Sequence, residues 1–132
     1  MEKEQQELIF KLGMFEQQIQ QIQQQLQAVE ESITDITSLN FGLDELQDSK
    51  GKEILAPIGR GIFVKTKLLS EELRVDVGGK NFVEKSIPET KNIIGDQIKK
   101  LNEIKKELEE KLEGIGNEMR KIIIKAQKEK SN

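Results

Sequence analysis

The chain has 132 residues and a net charge of −3, with 34% charged, 35% hydrophobic and only 4% aromatic residues. That balance excludes a large compact core and points to an extended, helix-rich molecule. With no Cys and no His, the sequence lacks disulfides, thiol nucleophiles, the usual zinc ligands and the commonest general base.

No metal or cofactor is therefore expected. Catalysis is not expected either, because scattered carboxylates on solvated helices assemble no pocket. The opening MEKEQQE has no basic n-region and leads into no uninterrupted apolar run, so neither a signal peptide nor a membrane span is expected, and a cytoplasmic location fits. Lysines of the C-terminal part alternate with glutamates, which leaves no single-sign surface for nucleic acid.

From Leu8 the apolar residues fall at Leu8, Leu12, Phe15, Ile19, Ile22, Leu26, Val29, Ile33 and Ile36, in alternating steps of four and three. This spacing predicts a coiled-coil helix with one continuous seam. Asn40, Leu43 and Leu46 continue it, but Phe41-Gly42 weakens it, so the helix should end between Asn40 and Asp48. Between Gln17 and Gln27 almost every off-seam residue is Gln. Set among Ile and Leu at heptad spacing, these read as a solvated helix face and not as a prion-like tract. The first arm is assigned to residues 1–48.

Over residues 49–86 the period changes to two, in EILAPIGRGIFVKTKLLSEELRVDVGGKNFVEKS from Glu53 to Ser86. Gly59-Arg60-Gly61, Ser70-Glu71-Glu72 and Val77-Gly78-Gly79-Lys80 interrupt it, which predicts four strands as two consecutive β-hairpins in one small sheet. Ile62, Val64, Thr66 and Leu68 share one face, and Phe63, Lys65 and Lys67 the other; Leu73, Val75 and Val77 face one way, Arg74 and Asp76 the other. Each strand thus has a side to bury, and no helix within the segment covers it. Such a sheet needs other subunits, whose strands could close it into a barrel. Ile54, Leu55, Ile58, Ile62, Val64, Leu68, Leu73, Val75, Val77 and Phe82 are the candidate assembly residues. The glycine clusters lack phosphate-loop spacing and are read as turns.

Ser86-Ile87-Pro88-Glu89 has the form of a helix start, with a capping Ser and a Glu three residues on. The seam that follows is Ile87, Lys91, Ile94, Ile98, Leu101, Lys105, Leu108, Leu112, Ile115, Met119, Ile122 and Ala126. Lys91 and Lys105 break it, at positions from which their ammonium groups can snorkel outward. This second arm, residues 87–132, matches the first in length. The fold class is α+β: a long antiparallel two-helix coiled-coil hairpin with two β-hairpins inserted at its base.

Near the termini the apolar content exceeds what a seam uses. Ile9, Phe10 and Met14 lie off the first series, and Ile123 and Ile124 off the second, flanked by Lys11, Lys121 and Lys125. Side by side at the free end they would form an exposed apolar patch, the mark of an interaction site; packing within the seam or an oligomer is the plainer alternative. Gly13, Gly114 and Gly116 are expected to loosen the helices there.

These features resemble the alpha-type, archaeal-like subunit of the prefoldin family. The resemblance is carried by the two long helices, EILAPIGRGIFVKTKL, RVDVGG, and FVEKS before a helix start; Arg60 and Gly79-Lys80-Asn81-Phe82 depart from the family pattern. It implies an ATP-independent chaperone, a hexamer of two alpha-type and four beta-type subunits. In the family, hairpins form a β-barrel body, and apolar coiled-coil tips hold non-native proteins for a group II chaperonin. Transferred to this chain, the client-binding positions are Leu8, Ile9, Phe10, Leu12, Met14 and Phe15, with Met119, Ile122, Ile123 and Ile124 opposite. The alternative is a structural protein that assembles with itself into a homo-oligomer, scaffold or filament through its strand edges.

Overall fold

A seam repeating every three and a half residues holds one stripe of a helix against a partner, and two helices of this chain are built on it: α1 (Lys3–Leu46) and α2 (Ile87–Ser131). Between them run β1 (Glu53–Gly59), β2 (Ile62–Lys67), β3 (Leu73–Asp76) and β4 (Phe82–Lys85). The computed structural model describes residues 2–131, with the backbone alone at Ser131. Every seam residue of both series is buried or half-buried, including Lys91 and Lys105, while the glutamines from Gln17 to Gln27 are exposed.

The chain packs as two units, one formed by α1 up to Ile33 with α2 from Lys100 onward, the other by Thr34–Lys99. In the first unit the helices are antiparallel: Glu30 lies level with Lys105, and Gln18 to Gln25 flank a groove whose other wall runs from Lys111 to Glu118. Lys105 Nζ stands 3.8 Å from Glu30 Oε1 and 4.0 Å from Glu109 Oε1. Its ammonium has found carboxylates and not only water. Gly13, Gly114 and Gly116, expected to loosen the helices, lie inside unbroken helix with open space where a Cβ would be; hydrogen bonding of the neighbouring turns carries the helix through them.

The second unit holds the better-buried core, in which Leu43, Ile87 and Ile94 are packed against by Ile36, Leu46, Leu73 and Ile98. Lys91 pairs with Asp44 across the helices. The start of α2 is a capping box: the Glu89 N–H donates to Ser86 Oγ at 3.2 Å, and the Ser86 N–H donates to Glu89 Oε1 at 3.4 Å. Thr90, itself buried, donates its hydroxyl to the Ser86 carbonyl at 2.8 Å. Ser86→Ala removes the cap beside the core and should cost about 1 kcal/mol in urea unfolding; an unchanged midpoint would mean that the neighbouring Thr90 bond suffices.

The strands form two separate two-stranded sheets, β1–β2 and β3–β4, not the single small sheet expected. Ser70 to Glu72 explains the break. The Glu72 N–H bonds to Ser70 Oγ, and the Glu71 carboxylate accepts the Asp48 N–H in the turn that follows α1, so this link is tied to itself and to that turn instead of turning β2 onto β3. In the first hairpin Ile54 pairs with Thr66, Leu55 with Lys65, Ala56 with Val64 and Pro57 with Phe63, and Ile58 is the extra residue of a bulge. Gly59, Arg60 and Gly61 all have positive φ, which the tight turn imposes and glycine tolerates. In the second hairpin Leu73 pairs with Lys85, Arg74 with Glu84, Val75 with Val83 and Asp76 with Phe82.

Candidate functional site

Two sets of apolar side chains face solvent. The first belongs to the unit formed by the ends of the helices. Of the ten positions expected to bind a client, Ile9, Phe10, Met14, Ile123 and Ile124 are exposed, Phe10 by 70% and Ile124 by 52%. Leu8, Leu12, Phe15, Met119 and Ile122 are half-buried in the seam. Heptad geometry separates the two groups: a and d residues meet the opposite helix, so only those off the seam are left to the solvent. The patch is therefore about half as large as the expected list, and the seam residues beneath hold it in place.

The second set lies on the hairpins. Among the expected assembly residues Leu55, Ile58, Ile62, Val64, Val77 and Phe82 are exposed, and Ile54, Leu68 and Val75 are half-buried. Leu73 packs on the chain's own core, so the helices do cover part of β3. Leu73 is half-buried there, more covered than its neighbours Arg74 and Asp76. Val77 lies beyond β3, which ends at Asp76.

The first hairpin is apolar on both faces. Ile62 and Val64 lie on one side with Ile54 and Ala56, while Leu55, Pro57 and Phe63 meet on the other. Phe63, not among the expected assembly residues, is exposed as well. Folding the sequence at Gly59-Arg60-Gly61 puts Phe63 opposite Pro57 and beside Leu55, a signal present in the residue spacing. Leu39, Phe41, Leu69, Val83 and Ile104 are also exposed, and no periodicity distinguished them.

Among the described residues there is no cluster of three or more His, Cys, Asp or Glu that could hold a metal ion, and no helix is long and apolar enough to cross a membrane.

Comparison with known proteins places these features in context. A family model described as prefoldin subunit matches residues 15–131. The prefoldin subunit alpha of Methanosphaera stadtmanae is 31% identical over 88 residues, covering 67% of this chain and 64% of that protein, so the chain spans just under two thirds of that relative's length. The prefoldin subunit alpha of Methanobrevibacter smithii is 30% identical over 117 residues, covering 88% of this chain and 75% of that protein. Among solved structures, the fold is similar to that of the filamentous PFD from Methanocaldococcus jannaschii determined by cryo-EM. The TM-score is 0.77 at 22% identity, covering 87% of this chain and 97% of that one.

Proposed function

Because the chain belongs to the prefoldin family as an alpha-type subunit, a family of non-enzymatic chaperone components, we propose that it is an ATP-independent holdase subunit. It binds non-native polypeptides through its helix ends and passes them to a group II chaperonin. The observation that supports this reading is the exposure of Ile9, Phe10, Met14, Ile123 and Ile124 within one packing unit. Off-seam apolar residues contribute nothing to helix pairing, and in water they cost solubility. Burial of one such side chain stabilises a complex by about 1.5–3 kcal/mol before ordering costs. A single subunit would hold a client weakly, and several on one assembly would hold it well. Met14 adds a pliable thioether chain that suits many surfaces.

The assembly that presents several such ends contains beta-type subunits, two alpha-type with four beta-type, joined through the hairpins in a barrel, and it works in the cytoplasm. The test is suppression of aggregation of a chemically denatured client. Phe10→Ser, Met14→Ser, Ile123→Ser and Ile124→Ser together should abolish protection while helix content and oligomer mass stay unchanged. Full protection by that variant would refute capture through the helix ends.

A second reading has its own support. The hairpins expose apolar side chains on both faces and leave free strand edges, and a structural relative is described as filamentous. Self-assembly into a homo-oligomer or filament is the outcome if native mass spectrometry finds no complex with a beta-type subunit but a ladder of copies of this chain.

A further inference from the structure

The glutamines of α1 have no part in the seam, yet three of them build one wall of a groove of about 430 Å³. Gln18, Gln21 and Gln25 form that wall, buried Ile22 and half-buried Ile115 lie at its base, and Lys111 and Glu118 stand opposite. Gly114 keeps the far side low, with nothing within 4 Å of where its Cβ would be. Phe10, Met14, Gln18, Gln21 and Gln25 follow one another in steps of four, four, three and four, so they share one face of α1. The exposed Phe10 and Met14 therefore run directly into the glutamine wall.

We propose that this groove binds the backbone of an extended, non-native polypeptide whose apolar side chains are held by Phe10 and Met14. The proposal rests on the capture reading above and adds the chemical feature being read. A glutamine amide carries a donor N–H₂ and an acceptor C=O, as a peptide group does, and can pair with an unfolded main chain whatever its sequence. An unfolded segment differs from a folded one in that its main-chain groups are unpaired. Apolar contact alone does not recognise that difference; an amide wall beside an apolar patch does. From Gln18 to Gln25 the wall is about 10 Å long at ~1.5 Å per residue, enough for about three residues of extended chain at ~3.3 Å each. The charged residues opposite keep the groove hydrated and open when no client is present.

The test uses the full-length protein and two fluorescent probes. One is a capped, apolar, unstructured decapeptide, and the other is the same peptide N-methylated at alternate backbone nitrogens, which removes donors but keeps the side chains. The unmodified protein should bind the first at least about fivefold more tightly than the second, the size expected for one net hydrogen bond. Gln18→Ala, Gln21→Ala and Gln25→Ala together, all helix-compatible, should weaken binding of the first probe by a similar factor and erase the discrimination, with helicity and oligomer mass unchanged. Equal affinity for the two probes, or undiminished discrimination by the triple variant, overturns the groove. Should the variant with four serines at Phe10, Met14, Ile123 and Ile124 also bind as well as the unmodified protein, capture at the helix ends falls too. If only that variant loses binding, capture stands and the groove does not.

Discussion

A chain carrying Ile62→Asp and Val64→Asp should fail to assemble and sediment at its own mass, while its helix content remains. Ile62 is 60% exposed and Val64 44% exposed in the isolated chain, so folding of the subunit does not depend on them. In an assembly built through the hairpins both would be covered, at about 1.5–3 kcal/mol each. Aspartate loses that contribution and must also shed water from a carboxylate. The dissociation constant should rise by at least about 10³-fold, the equivalent of ~4 kcal/mol. Sedimentation velocity gives the answer directly. An assembly of unchanged mass would show that subunits meet elsewhere, with the opposite face of Leu55, Pro57 and Phe63 the next to test. The same substitutions on a chain assembled through helix ends alone would be silent.

Ile87→Ala should be the most damaging single truncation among the core residues, lowering stability by about 3–4 kcal/mol, within the range for buried Ile→Ala changes. Ile87 is 2% exposed, less than Leu43 or Ile94, and it is the first residue of α2, directly after the capping Ser86. Its side chain joins the core that Leu43, Ile94 and Leu73 share. Truncation there opens a cavity where both helices and β3 converge. Ile115→Ala, at a half-buried seam position, should cost roughly half as much, because solvent already reaches the site and takes up the vacated space. Chemical denaturation of both variants checks the ranking. Equal losses would mean that the seam and the core are equally well packed.

The helices were legible because a heptad seam is a local, repeated signal. Each of Leu8 to Ile36 and Ile87 to Ala126 adds to the same pattern, and even the two intruding lysines sit where the pattern places them. Ser86 and Glu89 were legible for a similar reason, since a capping box is complete within four residues. The pairing between hairpins was not. Whether β2 and β3 share a ladder depends on what Ser70 to Glu72 bond to, and Glu71 bonds to Asp48, more than twenty residues away. The role of Leu73 was hidden by the same kind of distance. Its alternation with Arg74 says that one side is buried, but not that Leu43 and Ile87 do the burying. At the helix ends, spacing separated Phe10 and Met14 from Leu12 and Phe15; the longer client-binding list came from family resemblance, which does not sort residues by face.

The two seam lysines have a consequence for how the helices find each other. Lys91 meets Asp44, and Lys105 meets Glu30. A slide of seven residues keeps Leu and Ile facing one another and is the error a heptad invites. For Lys91 that slide substitutes Thr37 or Gly51 for the aspartate, and for Lys105 it substitutes Gln23 or Thr37 for the glutamate. Lys91 then loses the carboxylate across from it, and Lys105 is left with only Glu109 of its own helix. A misaligned zipper is thus penalised at each lysine separately, and the chain can discard it early, before the strands have anything to join.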